Sequence, residues 1–430
     1  MSKAGDGKIG LWAVVAIGVG GMVGGGIFAV LGLAVQLAHG GTPVAFALAG
    51  VVAMLTAYSY AKLSVAYPSR GGTVTFLDRA FGAGPLTGSL NVLLWLSYVV
   101  MLSLYALAFG SYGATFLPEP WQAIGRHGLI SLSVIMISGL NLLSAEVIGK
   151  AENAIVGLKV AILLLFVGTG LAGITTARIA PASWSPPLQL AAGGMIIFLA
   201  YEGFELIANT AHDVRSVART LPRAFYIAVG FVIGLYVLVA VVTVGHLAVD
   251  KIVAAKDYAL AEAARPFLGQ AGFTLIAIAA MLSTASAINA TLYGAARLSY
   301  CIARDGELPA TLERKVWGEP VAGLLITGGL TLFVANTLDL TSISTLGSAG
   351  FLLIFAAVNA ANARHAPHTN SRGWISVTAV VACLAAFGAL IWQTARTGPA
   401  KLWVLAAMVG LAVSIEGAYR LTEREIRLHE

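Results

Sequence analysis

Three groups of residues in this sequence have the types and spacing to do chemistry. The first is the stretch GVGGMVGGGIF, Gly18 to Phe28, which sets six glycines into nine positions inside an uncharged run from Ile9 to Gln36. An interior glycine costs a helix about 1 kcal/mol relative to alanine, so a cluster this dense marks a helix built to open. Opened backbone in lipid has to find partners in protein or water. Its N–H groups at the start of one half-helix can hold a carboxylate, and the carbonyls at the end of the other can hold an ammonium or a cation.

The second group is Glu202, Gly203, Phe204 and Glu205, in the apolar stretch GGMIIFLAYEGFELIAN. Acidic residues at membrane depth cost about 2.5 to 3.5 kcal/mol each on insertion scales, so they face a cavity or a partner. Glu202 can pair with a positive group on a substrate, pair with Lys159, hold a proton, or cap loosened backbone N–H groups. The third group is Lys159 itself. It stands about seven residues into an apolar span, too deep for easy snorkelling, so it points inward and can load and release a proton there.

The elements that position these groups are membrane spans. The chain has 430 residues, 58% hydrophobic and 11% charged, a balance far from that of soluble domains. Apolar runs of about 20 residues recur along it, giving an all-α integral membrane protein of twelve transmembrane helices over 9–36, 42–66, 85–116, 128–145, 150–174, 188–211, 222–248, 271–301, 319–338, 342–363, 374–394 and 401–420. Of the 26 basic residues, eighteen fall in alternate segments shared with both termini, seven in the others, and Lys159 lies within a span. The asymmetry predicts a multi-pass protein with both termini cytoplasmic. The net charge of +6 is spread over short loops rather than gathered in one stripe, so no nucleic-acid partner is expected. MSKAGDGKIG has no small-residue cleavage site, so no removable signal peptide is expected.

Interruptions in the first and sixth spans, five spans apart, are what a five-plus-five inverted repeat requires, with its binding site at the midplane where the halves meet. The expected organisation is a first repeat over 9–174, a second over 188–363 and two additional helices over 374–420. Cys301 and Cys383 match no disulfide framework or metal spacing and read as packing residues. No nucleophile–base set, phosphate-binding loop or metal-ligand spacing occurs, so neither an enzyme nor a cofactor is expected.

Several stretches resemble the amino acid, polyamine and organocation (APC) permeases. They are VGGGIF (Val23 to Phe28), YPSRGGTVTFLDRAFG (Tyr67 to Gly82), NLLSAEVIGKAENAIVGLK (Asn141 to Lys159) and SAINATLYGAARLSYCIARDGELP (Ser286 to Pro309). After the sixth span the family often has an acidic residue followed by Asn-Pro, whereas HDVRSVARTLPRA keeps only Pro222, Arg223 and Ala224.

The resemblance implies a leucine-transporter-type fold with broken helices 1 and 6. It places a substrate carboxylate on the N–H groups of Gly25, Gly26 and Ile27, and a substrate ammonium on the carbonyls of Met22, Leu199 and Glu202, with Val23, Gly24, Gly203 and Phe204 completing the site. It further implies that the ammonium of Lys159 occupies the place of a cation in sodium-coupled relatives, near the carbonyls of Gly20 and Val23 and the hydroxyls of Ser283 or Ser286. Trp95 and Tyr98 read equally well as core aromatics. Charges in the cytoplasmic loops, Arg70, Arg79 with Asp78, and Arg304 with Asp305, are candidate gate residues, and His212 and His246 read as loop or interface residues.

These expectations define a proton-coupled secondary transporter of amino acids or related amines, in a prokaryotic plasma membrane, with small-molecule substrate, proton and lipid bilayer as its partners. The alternatives are an exchanger on the same fold, a sodium-coupled carrier, or a receptor or channel that binds without accumulating.

Overall fold

The computed structural model describes residues 9–69, 71–143, 145–304 and 321–420. Arg70, Asp305 and the side chain of Arg304 lie outside what is described. So do Lys3, Lys8, Arg314, Lys315, Arg424 and Arg427, all of which enter the charge asymmetry.

The described residues form helices in the order α1 (Leu11–Met22), α2 (Gly26–Ala38), α3 (Thr42–Ala66), α4 (Thr73–Phe81), α5 (Pro85–Ala114), α6 (Gln122–Leu143), α7 (Ala145–Gly170), α8 (Thr176–Ile179), α9 (Pro187–Ile196), α10 (Val217–His246), α11 (Val249–Ala254), α12 (Ala259–Arg304), α13 (Val321–Thr337), α14 (Leu340–Arg364), α15 (Gly373–Thr397) and α16 (Ala400–Arg420). Eight described helices are long and apolar enough to cross a membrane. Two bent pairs are long and apolar enough when each is taken together: α1 with α2, bent by 46°, and α9 with the 3₁₀ segment that follows it, bent by 50°. Two shorter apolar helices cover Ala154–Gly170 and Val321–Thr337.

The expected spans overlap helical segments, with some displacements, and eight to ten of them are long and apolar enough to cross a membrane among the described residues. Helix α7 begins at Ala145 and ends at Gly170, earlier than the expected fifth span. Helix α12 reaches back to Ala259 and bends at Gly269, whose φ of 63° only glycine adopts easily. The stretch before that bend, with α4 and α11, is helix where the hydropathy pattern reads loop, because these pieces are too short or too polar to read as spans.

Helix α5 is apolar on all sides, as a helix surrounded by others must be, and 94% of its most apolar window is buried. The last two helices are mostly exposed and show Trp403, Val381 and Leu384 to the surroundings, as lipid-facing helices do. The two broken spans are tied together at both ends. Near their charged ends, Ile9 N–H donates to the Asp213 carbonyl at 3.1 Å and Arg215 N–H to the Ile9 carbonyl at 3.0 Å. At the opposite ends, Gly40 N–H donates to the Ser183 carbonyl at 3.1 Å and Ser185 N–H to the Ala38 carbonyl at 3.3 Å.

Candidate functional site

The first break lies within the glycine cluster. Helix α1 closes with Val23 N–H on the Val19 carbonyl at 2.8 Å, and Gly24 N–H tightens the turn onto the Gly21 carbonyl at 3.2 Å. Helix α2 then starts at Gly26. None of the six glycines takes a positive φ, so what they provide is room. A methyl group on Gly26 would lie 2.7 Å from Cα of Ala200, and one on Gly25 would run into the Tyr105 ring. Gly18 and Gly20 serve ordinary packing, against Ile207 and Val156. The cluster thus divides into packing glycines before the break and crossing glycines at it.

The second break follows α9. A 3₁₀ stretch, Phe198–Tyr201, leads into Glu202 (φ −53°, ψ 164°) and Gly203 (φ 97°, ψ −21°). These angles are those of a type II turn, which places glycine at its third position because φ is positive there. A second 3₁₀ stretch, Phe204–Asp213, completes the span.

The two breaks cross, with the backbone of Gly26 against Ala200 and that of Gly21 against Gly203. Among the described residues no backbone carbonyl accepts from the N–H of Gly25, Gly26 or Ile27. The Met22 carbonyl, at the end of α1, accepts from the Tyr236 hydroxyl at 2.6 Å, and the Ala200 carbonyl accepts from the same hydroxyl at 3.3 Å. The Leu199 carbonyl accepts from Glu202 N–H at 3.2 Å. Leu199 N–H itself donates to the Ser348 hydroxyl at 3.0 Å.

Lys159 reaches this region from α7. Its side chain is 2% exposed and its Nζ donates to the Gly20 carbonyl at 2.9 Å. Ser283, on α12, donates to the carbonyl of Val23 at 2.8 Å and also contacts that of Gly24. Lys159 and Ser283 therefore approach the same turn from two helices. Ser286 is half-buried on α12 and, among the described residues, makes no hydrogen bond to that turn.

Glu202 and Glu205 are 3% and 1% exposed, and their carboxyl groups lie within hydrogen-bonding reach of each other. Glu205 Oε1 accepts from the Tyr98 hydroxyl at 2.6 Å, and its Oε2 accepts from Gly203 N–H at 3.4 Å. The capping of loosened backbone therefore falls to Glu205, and Glu202 faces its carboxyl neighbour.

Phe204 packs in an aromatic cluster with Tyr60 (ring centroids 5.5 Å), Phe355 (5.2 Å) and Phe225 (6.4 Å), which makes it a wall beside the break. Trp95 donates to the Thr327 hydroxyl at 3.1 Å and joins α5 to α13. His246 lies 2.7 Å from the Gly170 carbonyl, at a helix end. Asp78 accepts from Asn91 at 3.4 Å.

Two tyrosines at the site escape a reading based on glycine and charge, Tyr105 over Gly25 and Tyr236 between the breaks. Their signal is a phenol deep in an apolar span, where its hydroxyl must find a partner. A cavity of about 260 Å³ lies away from the breaks, lined by Arg126, His127, Lys256, Asp257, Tyr258 and Asp339 among others. Across it Arg126 pairs with Asp257 at 3.1 Å.

Residues 9–414 match the family model described as amino acid permease. The chain is 37% identical over 356 residues to an uncharacterized protein of Methanocaldococcus jannaschii, covering 82% of this chain and 81% of that protein. It is 35% identical over 410 residues to the inner membrane transport protein YbaT of Escherichia coli, covering 94% and 95%. A more distant relative, at 23% over 381 residues, is the branched-chain amino acid permease BcaP of Bacillus subtilis, covering 82% and 80%.

Proposed function

The chain belongs to the amino acid permease family, and from that premise we propose that it is a proton-coupled secondary transporter taking up amino acids or related amines by alternating access. It is a multi-pass integral membrane protein. On our reading, twelve spans cross a prokaryotic plasma membrane with both termini in the cytoplasm. Residues 9–174 and 188–363 are inverted repeats, and 374–420 supplies two further helices.

One observation carries the proposal: both bent spans break at the same crossing, and a buried ammonium, Lys159 Nζ, bonds the Gly20 carbonyl just before the first break. The N–H groups of Gly25, Gly26 and Ile27 are suited to the substrate carboxylate, and the carbonyls of Met22, Leu199 and Glu202 to its ammonium. Val23, Gly24, Gly203 and Phe204 shape the walls. Lys159, with Ser283 and the Gly20 carbonyl, carries the coupling proton, and Ser286 lies one turn further along α12. Loss of the proton from Lys159 frees the Gly20 carbonyl from its charged donor and loosens α7 from α1, so protonation and bundle position are linked.

The test is uptake into liposomes holding the purified protein, with labelled L-amino acids outside and an alkaline interior. The expected result is accumulation that a protonophore abolishes and a sodium gradient does not restore. Uptake that requires a counter-substrate and ignores the pH gradient would make the protein an exchanger. Binding without accumulation would make it a sensor.

A further inference from the structure

The hydroxyl of Tyr236 donates to one of the carbonyls proposed above for the substrate ammonium, that of Met22. Tyr236 is on α10, fully buried, with its ring packed against Phe46 (centroids 5.7 Å) and Tyr201 (5.2 Å). Its oxygen is reached by groups from both breaks. It donates to the Met22 carbonyl at 2.6 Å, at the end of α1, and lies 3.3 Å from the Ala200 carbonyl in the interrupted sixth span. One hydroxyl proton shared between two carbonyls thus serves the loosened backbone of both breaks together.

An α-amino acid carries such a donor. Its ammonium donates as the phenol does to Met22 and Ala200, and its carboxylate lies on a neighbouring atom. Tyr236 and such a ligand therefore compete for the Met22 carbonyl, with that of Ala200 beside it. With neither phenol nor ligand those carbonyls, on buried residues, would be unpaired, at a cost that the phenol removes.

We propose that Tyr236 is a tethered stand-in for substrate: its hydroxyl satisfies the broken helices when the site is empty, and an α-amino acid must displace it to bind. Two consequences follow for the transport cycle. The empty carrier keeps its crossing intact and can return across the membrane without ligand. Binding affinity is reduced by the hydrogen bonds that have to be given up first. The inference rests on the amino acid site proposed above.

The test uses the full-length chain in detergent and in liposomes, with the twenty L-amino acids tried singly on the wild type by thermal shift and the strongest binder carried forward. Tyr236→Phe removes only the hydroxyl. It is expected to bind that amino acid about three- to ten-fold more tightly, the span of the few hydrogen bonds no longer in competition. Net uptake should slow while exchange of labelled for unlabelled amino acid is retained, because only net uptake needs the empty carrier to return. Weaker binding by the variant would make Tyr236 a direct ligand contact, and unchanged binding would make it a packing residue; either overturns the displacement. If Tyr236→Phe does not fold, 3-fluorotyrosine placed at position 236 gives the same answer by fluorine NMR. Saturation with the amino acid should move the resonance, and an unmoved resonance overturns the proposal. If no L-amino acid binds the wild type, the amino acid site fails and the displacement falls with it. Binding by the wild type with no gain in the variant defeats the displacement alone.

Discussion

Gly21 and Gly203 meet backbone to backbone: a methyl group on Gly203 would lie 2.6 Å from the carbonyl carbon of Gly21 and 2.8 Å from the nitrogen of Met22. The reverse approach is as close, since a methyl on Gly21 would lie 2.8 Å from the Gly203 carbonyl oxygen. Two interrupted spans can share one volume only if their backbones come this near, and only glycine allows it.

Gly203→Ala tests that contact. It adds a side chain at φ 97° as well as the clash, and strain of this kind costs about 1 to 3 kcal/mol. A lower unfolding midpoint in detergent and loss of substrate binding are expected. Gly157→Ala on α7, where an added methyl meets nothing within 4 Å, is the control and should gain about 0.5 to 1 kcal/mol as a helix-interior replacement. A Gly203→Ala protein as stable as the control would remove the crossing from the account.

Lys159→Ala should abolish accumulation driven by a pH gradient while substrate binding in detergent persists, because the titrating group is lost and the backbone cradle is kept. Uptake into liposomes and calorimetric binding read the two separately. A variant that still concentrates substrate in response to the gradient would leave Lys159 a structural anchor for α1.

Glu202→Gln keeps the shape of the side chain and removes its capacity to carry a charge. Its binding of cationic ligands should weaken by about 1 to 3 kcal/mol more than its binding of neutral ones, the size of a charge-assisted hydrogen bond. Competition assays with paired cationic and neutral amino acids measure the difference. Equal losses for both classes would assign Glu202 to support of the broken backbone.

Asp78 lies outside the spans, on the short helix α4. Burial pushes its carboxyl up to about 6, and the hydrogen bond from Asn91 offsets part of that. A carboxyl whose folded value is raised favours the folded state while protonated, so stability should fall as pH rises from about 4 through about 6. Asp78→Asn should flatten this part of the melting profile and raise the midpoint at pH 8. An unchanged profile would mean that the ionised carboxylate is accommodated at no cost.

The fold was legible where composition and spacing decide it. Charge-free runs located the spans, and the positions of Gly18 to Gly26 and of Glu202 and Gly203 located both breaks, because glycine and acid are costly in lipid and need a local reason. Lys159 was legible for the same reason. Tyr236 and Tyr105 were not, since a tyrosine in a span is unremarkable until the partner of its hydroxyl is known, and that partner is backbone from elements more than 200 residues away for Met22. The division of labour between Glu202 and Glu205 was also hidden. It depends on the turn at Gly203, which aims one carboxyl at its N–H and Tyr98 and leaves the other facing its neighbour.

The most direct test is an experimental structure of the full chain with a bound L-amino acid selected by thermal shift. The account predicts the carboxylate within hydrogen-bonding distance, about 3 Å, of N–H groups among Gly25, Gly26 and Ile27, and the ammonium facing the carbonyls of Met22 and the sixth-span break. An amino acid lodged instead in the cavity beside Arg126 and Asp257, with the helix breaks unchanged around an undisplaced Tyr236, would contradict it.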